Sequence, residues 1–272
     1  MMDRWTPIPV QRAREVRQKL KLNTYPVDTA KVVRELGIEF KEINIGADFD
    51  GCALKEEGVM GILVNAGVPY PARRNFTIAH ELGHCVIETH LDPEYRCSNR
   101  NINAFDPKNP LEVEASIFAA ELLMPESEFT RLAGRVPMSL AGIKEIAERF
   151  GTSLTATSIR YTRLSSDQCA IILSDCNGII WSIRSRRFPF EIRKGPLSEN
   201  SYAIDFFRGK PLPPNAQHRW LRSPHTLGKI LRSKRCHHSV CNQSKNHDCQ
   251  REQSSQGFLI CTHPKSQLKS LL

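Results

Sequence analysis

Apolar residues recur at three- and four-residue steps in several stretches of the chain and alternate in others. Val10 to Leu20 predicts a first helix. Ala30, Val32, Val33 and Leu36 predict a second, opened by Asp28 or Thr29 and stopped at Gly37. Ile38 to Ile45 and Val59 to Asn65 predict strands, with Gly51 to Leu54 between them. Phe76, Ala79, Leu82, Gly83 and Val86 define a buried amphipathic helix from about Asn75 to Glu88, with Asn75 or Thr77 as its cap. A glycine inside a helix costs about 1 kcal/mol relative to alanine, so Gly83 implies another helix packed close against this one. Glu112 to Met124 is strongly helical and is stopped by Pro125; its Ala115, Ala119 and Leu122/Leu123 form a small-residue face suited to tight contact with a helix.

Further along, Leu140 to Phe150 and Leu154 to Leu164 predict two helices joined at Gly151-Thr152-Ser153, with Ser139 and Ser153 as N-caps. The pair resembles a helix-turn-helix, although Thr152 and Thr157 stand where such a unit wants apolar side chains. Its second helix offers Thr155, Thr157, Ser158, Arg160 and Arg163 as polar groups. Cys169 to Ser174 and Gly178 to Arg184 predict a hairpin about the turn Asp175-Cys176-Asn177-Gly178. These patterns divide the chain into 1–135, a helical pair at 136–166, a small β-rich segment at 167–219, and a tail at 220–272.

Charge changes the picture at that last boundary. The net charge is +9, yet residues 220–272 alone carry +7, leaving +2 on the preceding 219 residues. The tail also holds five of the nine histidines and four of the nine cysteines, with little periodicity. Cys236, His237, His238, Cys241, His247 and Cys249 match no common zinc-finger spacing, so a disordered basic tail or a shifted reading frame is expected there. An odd number of scattered cysteines reads as reduced thiols. No apolar run of about 18 residues is present, and the start MMDRWTPIPVQRAREVRQKLK lacks the apolar core of a secretory signal. A cytoplasmic protein without membrane association is expected.

The chemistry concentrates in His80-Glu81-Leu82-Gly83-His84. On a helix, positions i and i+4 share a face, so two imidazoles can reach one Zn²⁺ while the glutamate faces the water on the metal. That water has a pKa near 7, and the carboxylate can take its proton. Such a site needs a third protein ligand, for which His90, Glu94, Cys97, Asp106, Glu112, Glu114 and Glu121 are the downstream candidates. His90 lies six residues past His84, which rotates it well away from the ligand face. Cys97 and Asp106 fall in an Asn-rich stretch, Cys97 to Pro110, that reads as loop. Glu112 opens the small-residue face and can point at the metal. Glu114 projects about 200° away from it and reads as a solvated or salt-bridged carboxylate, while Glu121 reads as surface or second shell. Cys85 points off the ligand face into core.

Arg73 to His84 (RRNFTIAHELGH) with Glu112 to Pro125 (EVEASIFAAELLMP) resembles the ImmA/IrrE family of metallo-endopeptidases, in which an FTxAHELGH helix precedes an ExxANxFAxxLLMP helix. The resemblance runs from about Val27 to about Pro214. It implies a zincin-type α+β fold: a helical N-terminal part, a small antiparallel sheet and the HExxH helix, then the helix-turn-helix-like pair and the β-rich segment. It implies His80, His84 and Glu112 as metal ligands and Glu81 as the general base. Ser116 stands where the family has Asn or Asp, and can still donate a hydrogen bond to a ligand. In zinc peptidases of this kind a strand beside the metal helix holds substrate by β-augmentation, and Ile62-Leu63-Val64-Asn65 is the candidate strand. The function implied is a regulatory zinc endopeptidase, with Mn²⁺ a possible alternative metal, that cleaves a helix-turn-helix repressor in a stress response or on a mobile element. The rival readings are a non-catalytic zinc-fold regulator or antitoxin-like module, and direct nucleic-acid binding through residues 140–164 or the tail.

Overall fold

The computed structural model describes residues 7–46, 49–97, 109–136, 139–189, 191–192, 194–197, 201–211, 237–241 and 257–262. Two compact units emerge, Met1–Gly134 with Glu145–Thr157, and Arg135–Lys144 with Ser158–Leu272. Residues of the expected helical pair therefore fall in both units.

The first unit is built from helices on a mixed four-stranded sheet. Helix α1 spans Pro7–Lys19, and α2 spans Thr29–Glu35. Asp28 caps α2 by accepting from the Lys31 amide, and Gly37 at φ 76° ends it, as the pattern predicted. Strands β1 (Glu39–Ile43), β2 (Gly51–Glu56), β3 (Val59–Asn65) and β4 (Glu94–Cys97) lie in the order β1-β3-β2-β4. Glu57 and Gly58, both at positive φ (46° and 82°), turn β2 into β3 with the twist a two-residue hairpin requires. Because β2 occupies one side of β3, β1 adds to the other and runs parallel to it, so the sheet is mixed rather than wholly antiparallel.

Helix α3 spans Pro71–Val86. It starts four residues earlier than the apolar pattern suggested, because Pro71 at its first turn presets the helical φ. Asn75 does not cap it. Its side-chain amide donates to the Val27 carbonyl at 3.1 Å and its Oδ1 accepts from the Thr29 amide at 3.3 Å, fastening α2 to α3. Every residue from Thr77 to Cys85 is buried, since β2 and β3 cover one side and α4 (Pro110–Leu123) another. A Cβ on Gly83 would stand 3.1 Å from the Ala115 Cα and 3.3 Å from its carbonyl oxygen, so the close helix approach that Gly83 implied is present. Helix α1 packs along α4, where Arg14 Nε donates to Glu121 Oε1 at 2.9 Å. Glu121 is accordingly buried, not on the surface. A short helix α5, Glu126–Ala133, follows.

Helices α6 (Leu140–Phe150) and α7 (Leu154–Leu164) have the predicted bounds, with Ser139 Oγ accepting from the Gly142 amide and Ser153 Oγ from the Ala156 amide, each at 3.1 Å. Thr152 and Thr157 are buried in spite of their hydroxyls because the two oxygens hydrogen-bond to each other at 2.8 Å. Thr157, Ser158 and Arg160, three of the five polar groups that α7 offers, are buried.

The second unit carries a sheet of β5 (Cys169–Asp175), β6 (Gly178–Arg184), β7 (His237–Cys241) and β8 (Gly257–Thr262) in the order β6-β5-β8-β7. Strands β5 and β6 form the expected hairpin, closed by Asp175 Oδ1 accepting from the Asn177 and Gly178 amides at 2.8 and 3.0 Å. A helix α8 (Tyr202–Phe207) is capped by Ser201. Within the tail, β7 and β8 pair with each other, and β8 pairs with β5. These two segments depart from the disorder expected there; the rest of the tail, including Cys236, His247 and Cys249, lies outside the described residues. Among the described residues no helix is long and apolar enough to cross a membrane, and Cys52, Cys85, Cys169 and Cys176 are free thiols.

Candidate metal centre

One helical turn separates His80 from His84 on α3, and both rings turn toward the first turn of α4, where Glu112 sits. His80 Nε2 lies 3.2 Å from His84 Nε2 and 3.1 Å from Glu112 Oε2, and His84 Nε2 lies 3.5 Å from Glu112 Oε1. One donor atom from each residue falls within 4.8 Å of the other two. Both histidines are fully buried and Glu112 is half-buried. Burial pushes the His84 imidazolium pKa down to about 4, so the ring is neutral at pH 7. Burial alone would raise the Glu112 carboxyl, but its hydrogen bonds to His80 and His84 outweigh it and hold the group well below the usual carboxylate range. Two imidazole nitrogens and an ionised carboxylate oxygen converging in a buried space are the donor set that a divalent transition metal prefers, and they leave a coordination position open. The residues fit such an ion; nothing in them distinguishes Zn²⁺ from Mn²⁺.

Surrounding side chains hold these rings. Ser116 Oγ lies 3.2 Å from His80 Nδ1. For Nε2 to present a lone pair to a metal ion, Nδ1 must carry the proton, and Ser116 would then accept the hydrogen bond. Tyr95 of β4 stacks on His84, centroids 4.2 Å apart and planes at 15°. Glu81 is fully buried on α3. Its carboxylate packs on Gly51 of β2, where a Cβ would meet Glu81 Oε1 at 3.2 Å and Thr77 Cγ2 at 2.8 Å. The neighbouring Asp50 anchors the strand here, with both carboxylate oxygens 2.7 Å from Arg73 Nη2 on α3.

Comparison with known proteins bears on this arrangement. Residues 48–162 match the model of a peptidase family described as the IrrE N-terminal-like domain. This stretch is an IrrE N-terminal-like domain. Among solved structures, a Mycobacterium tuberculosis transcriptional regulator matches with a TM-score of 0.55 at 16% identity, over 93% of this chain and 75% of that one. At that identity the likeness is one of fold. No curated protein matches the sequence.

Within the IrrE-like domain the remaining sequence candidates sort clearly. Ile62, Leu63, Val64 and Asn65 cannot hold a substrate strand, because β3 is interior: β1 pairs along one edge of these residues, and β2 runs along the other as far as Val64. Asn65 instead organises the loop after β1, its Oδ1 accepting from the Ile45 and Gly67 amides at 3.2 and 2.9 Å and its amide donating to the Gly46 and Phe49 carbonyls at 3.3 and 2.8 Å. Exposed Glu94 pairs with Arg96, and Asp106 lies outside the described residues.

His90 was misplaced by the helical wheel. The helix ends at Val86 and Ile87 is extended, so the chain folds back and sets His90 Nδ1 2.9 Å from His84 Nδ1. Glu114, correctly set apart from Glu112, pairs with His90 Nε2 at 3.3 Å. Tyr95 and Gly51 were missed as well. Tyr95 carried only a four-residue alternation at the edge of a polar stretch, and Gly51 acquires meaning only when α3 lies across β2.

Proposed function

We propose that this protein is a metal-dependent endopeptidase of regulatory type, using Zn²⁺ or Mn²⁺, whose substrate is a helix-turn-helix repressor. The observation that carries the reading is the buried convergence of His80, His84 and Glu112 one residue from a buried glutamate. His80, His84 and Glu112 would hold the ion, which when bound would polarise a substrate carbonyl and acidify water. Glu81 takes the proton from the attacking water and returns it to the leaving amine. Gly51 leaves the Glu81 carboxylate the space to do so, and Ser116 keeps His80 Nδ1 protonated so that Nε2 stays a donor atom. With β3 closed, β4 is the strand of the sheet that stands nearest His84 and has an open edge among the described residues, and it replaces β3 as the surface for an extended substrate.

The test incubates purified full-length protein with a repressor encoded beside its gene and with Zn²⁺ or Mn²⁺, next to a Glu81→Gln control. Cleavage in the wild-type lanes alone supports the proposal, and intact repressor in every lane overturns it. The second reading, a regulator that keeps the fold without turnover, is favoured by the regulator whose fold this chain shares; metal binding without cleavage is its signature.

A further inference from the structure

His84 and His90 face each other through their Nδ1 atoms at 2.9 Å, and two such nitrogens can share only one proton. Beyond His90, its Nε2 faces Glu114 Oε2 at 3.3 Å. In one arrangement His84 Nδ1–H donates to His90 Nδ1, and His90 Nε2–H donates to Glu114. His84 Nε2 is then a lone pair turned to His80 and Glu112. In the other, His90 Nδ1–H donates to His84 Nδ1. That leaves a bare His90 nitrogen against the Glu114 carboxylate and places a proton on His84 Nε2, inside the ligand cluster. Only the first gives the Glu114 carboxylate a donor and leaves His84 Nε2 bare for a metal ion.

We propose that Glu114 and His90 are positioning residues that select the metal-binding tautomer of His84, in a relay running from carboxylate to imidazole to ligand imidazole. The inference rests on the metal-centre reading above. The relay is built to be rigid. His90 is fully buried, its amide donates to the Ile87 carbonyl at 3.1 Å, and its carbonyl accepts from Lys55 Nζ at 2.6 Å. Tyr95 stacks on the His84 ring, and Lys55 Nζ lies 5.9 Å from the Tyr95 centroid. The two carboxylates of α4 therefore divide the work: Glu112 reaches the ligand nitrogens from the first turn, and Glu114, on another side of the helix, reaches them only through His90.

The experiment compares full-length wild type with Glu114→Ala, Glu114→Gln and His90→Phe by two readouts. Long-range ¹H–¹⁵N NMR of the metal-free proteins reports each tautomer directly. Competition with a chelator of known affinity gives the Zn²⁺ and Co²⁺ dissociation constants. The expected wild-type pattern is Nδ1–H on His84 and Nε2–H on His90. Glu114→Ala is expected to mix the tautomers and to weaken metal binding by about 10–100-fold, the range for ligand-supporting hydrogen bonds. His90→Phe weakens it to a similar degree, whereas Glu114→Gln, whose amide oxygen still accepts, stays within about threefold of wild type. Unchanged His84 tautomer and affinity in Glu114→Ala overturns the inference. A wild type that binds neither ion overturns the metal-centre reading instead, and the NMR still decides the tautomer question.

Discussion

Glu81 owes its position to a residue that has no side chain. Any Cβ at Gly51 meets Thr77 Cγ2 at 2.8 Å and Glu81 Oε1 at 3.2 Å. Gly51→Val is therefore expected to lower kcat for peptide cleavage at least about tenfold, equivalent to a loss of about 1.4 kcal/mol of transition-state stabilisation, while the Zn²⁺ dissociation constant stays near wild type; parallel kinetics and chelator competition check it. His84 supplies a pH prediction. Its folded-state pKa of about 4 lies below the ordinary 6.5, so between those values the unfolded chain binds the extra proton. Stability of the metal-free protein then rises with pH through that window and is lost as pH falls from about 6.5 toward 4, by up to about 3 kcal/mol from this group. Glu112, depressed as well, loses stability in the same direction but at lower pH. Urea denaturation at pH 7, 5.5 and 4 measures it, and a flat profile would contradict the buried neutral ring.

At the scale of elements, α3 works because β2 and β3 cover one side and α4 closes from another. Gly83→Ala improves helix propensity by about 1 kcal/mol, yet its new methyl meets backbone of α4 at 3.1 Å and 3.3 Å. Backbone yields poorly, so a net loss of about 1–3 kcal/mol is expected, with weaker metal binding as Glu112 moves off with α4; a denaturation midpoint and a metal titration read both. Asn65 tests the corrected role of β3. Its four hydrogen bonds tie the loop after β1, so Asn65→Ala should cost about 2 kcal/mol or more in stability. The KM of the protein that still folds should be unchanged, whereas a substrate-binding strand would raise it.

For the molecule as a whole, the groups proposed to bind and cleave all fall within the first compact unit, between Gly51 and Ser116. The positive charge lies elsewhere, with +7 of the +9 carried by residues 220–272. Truncation after Pro214 is accordingly expected to leave the metal dissociation constant unchanged and to remove any salt-sensitive DNA affinity, which a filter-binding series in increasing salt would show. Affinity surviving the cut would have to come from α6 and α7, where three of the five polar groups expected on α7 are buried.

The sequence by itself determined what depends on near neighbours in the chain. Helices α2, α6 and α7 and strand β3 followed from periodicity and caps, because Asp28, Ser139 and Ser153 each bond an amide only three residues away. His80 and His84 share a face because a helical turn puts them there, and the small face of α4 with Gly83 announced a close helix pair. Tertiary structure decided everything that needed two distant segments to meet. It made β3 interior by laying β1 along it, buried Glu121 under Arg14, set Ser116 against His80 Nδ1, and ended α3 early enough for His90 to fold back between His84 and Glu114. A helical wheel assumes the helix goes on. Here it stops at Val86, and the residue it would have carried away is returned by the fold to the side of His84.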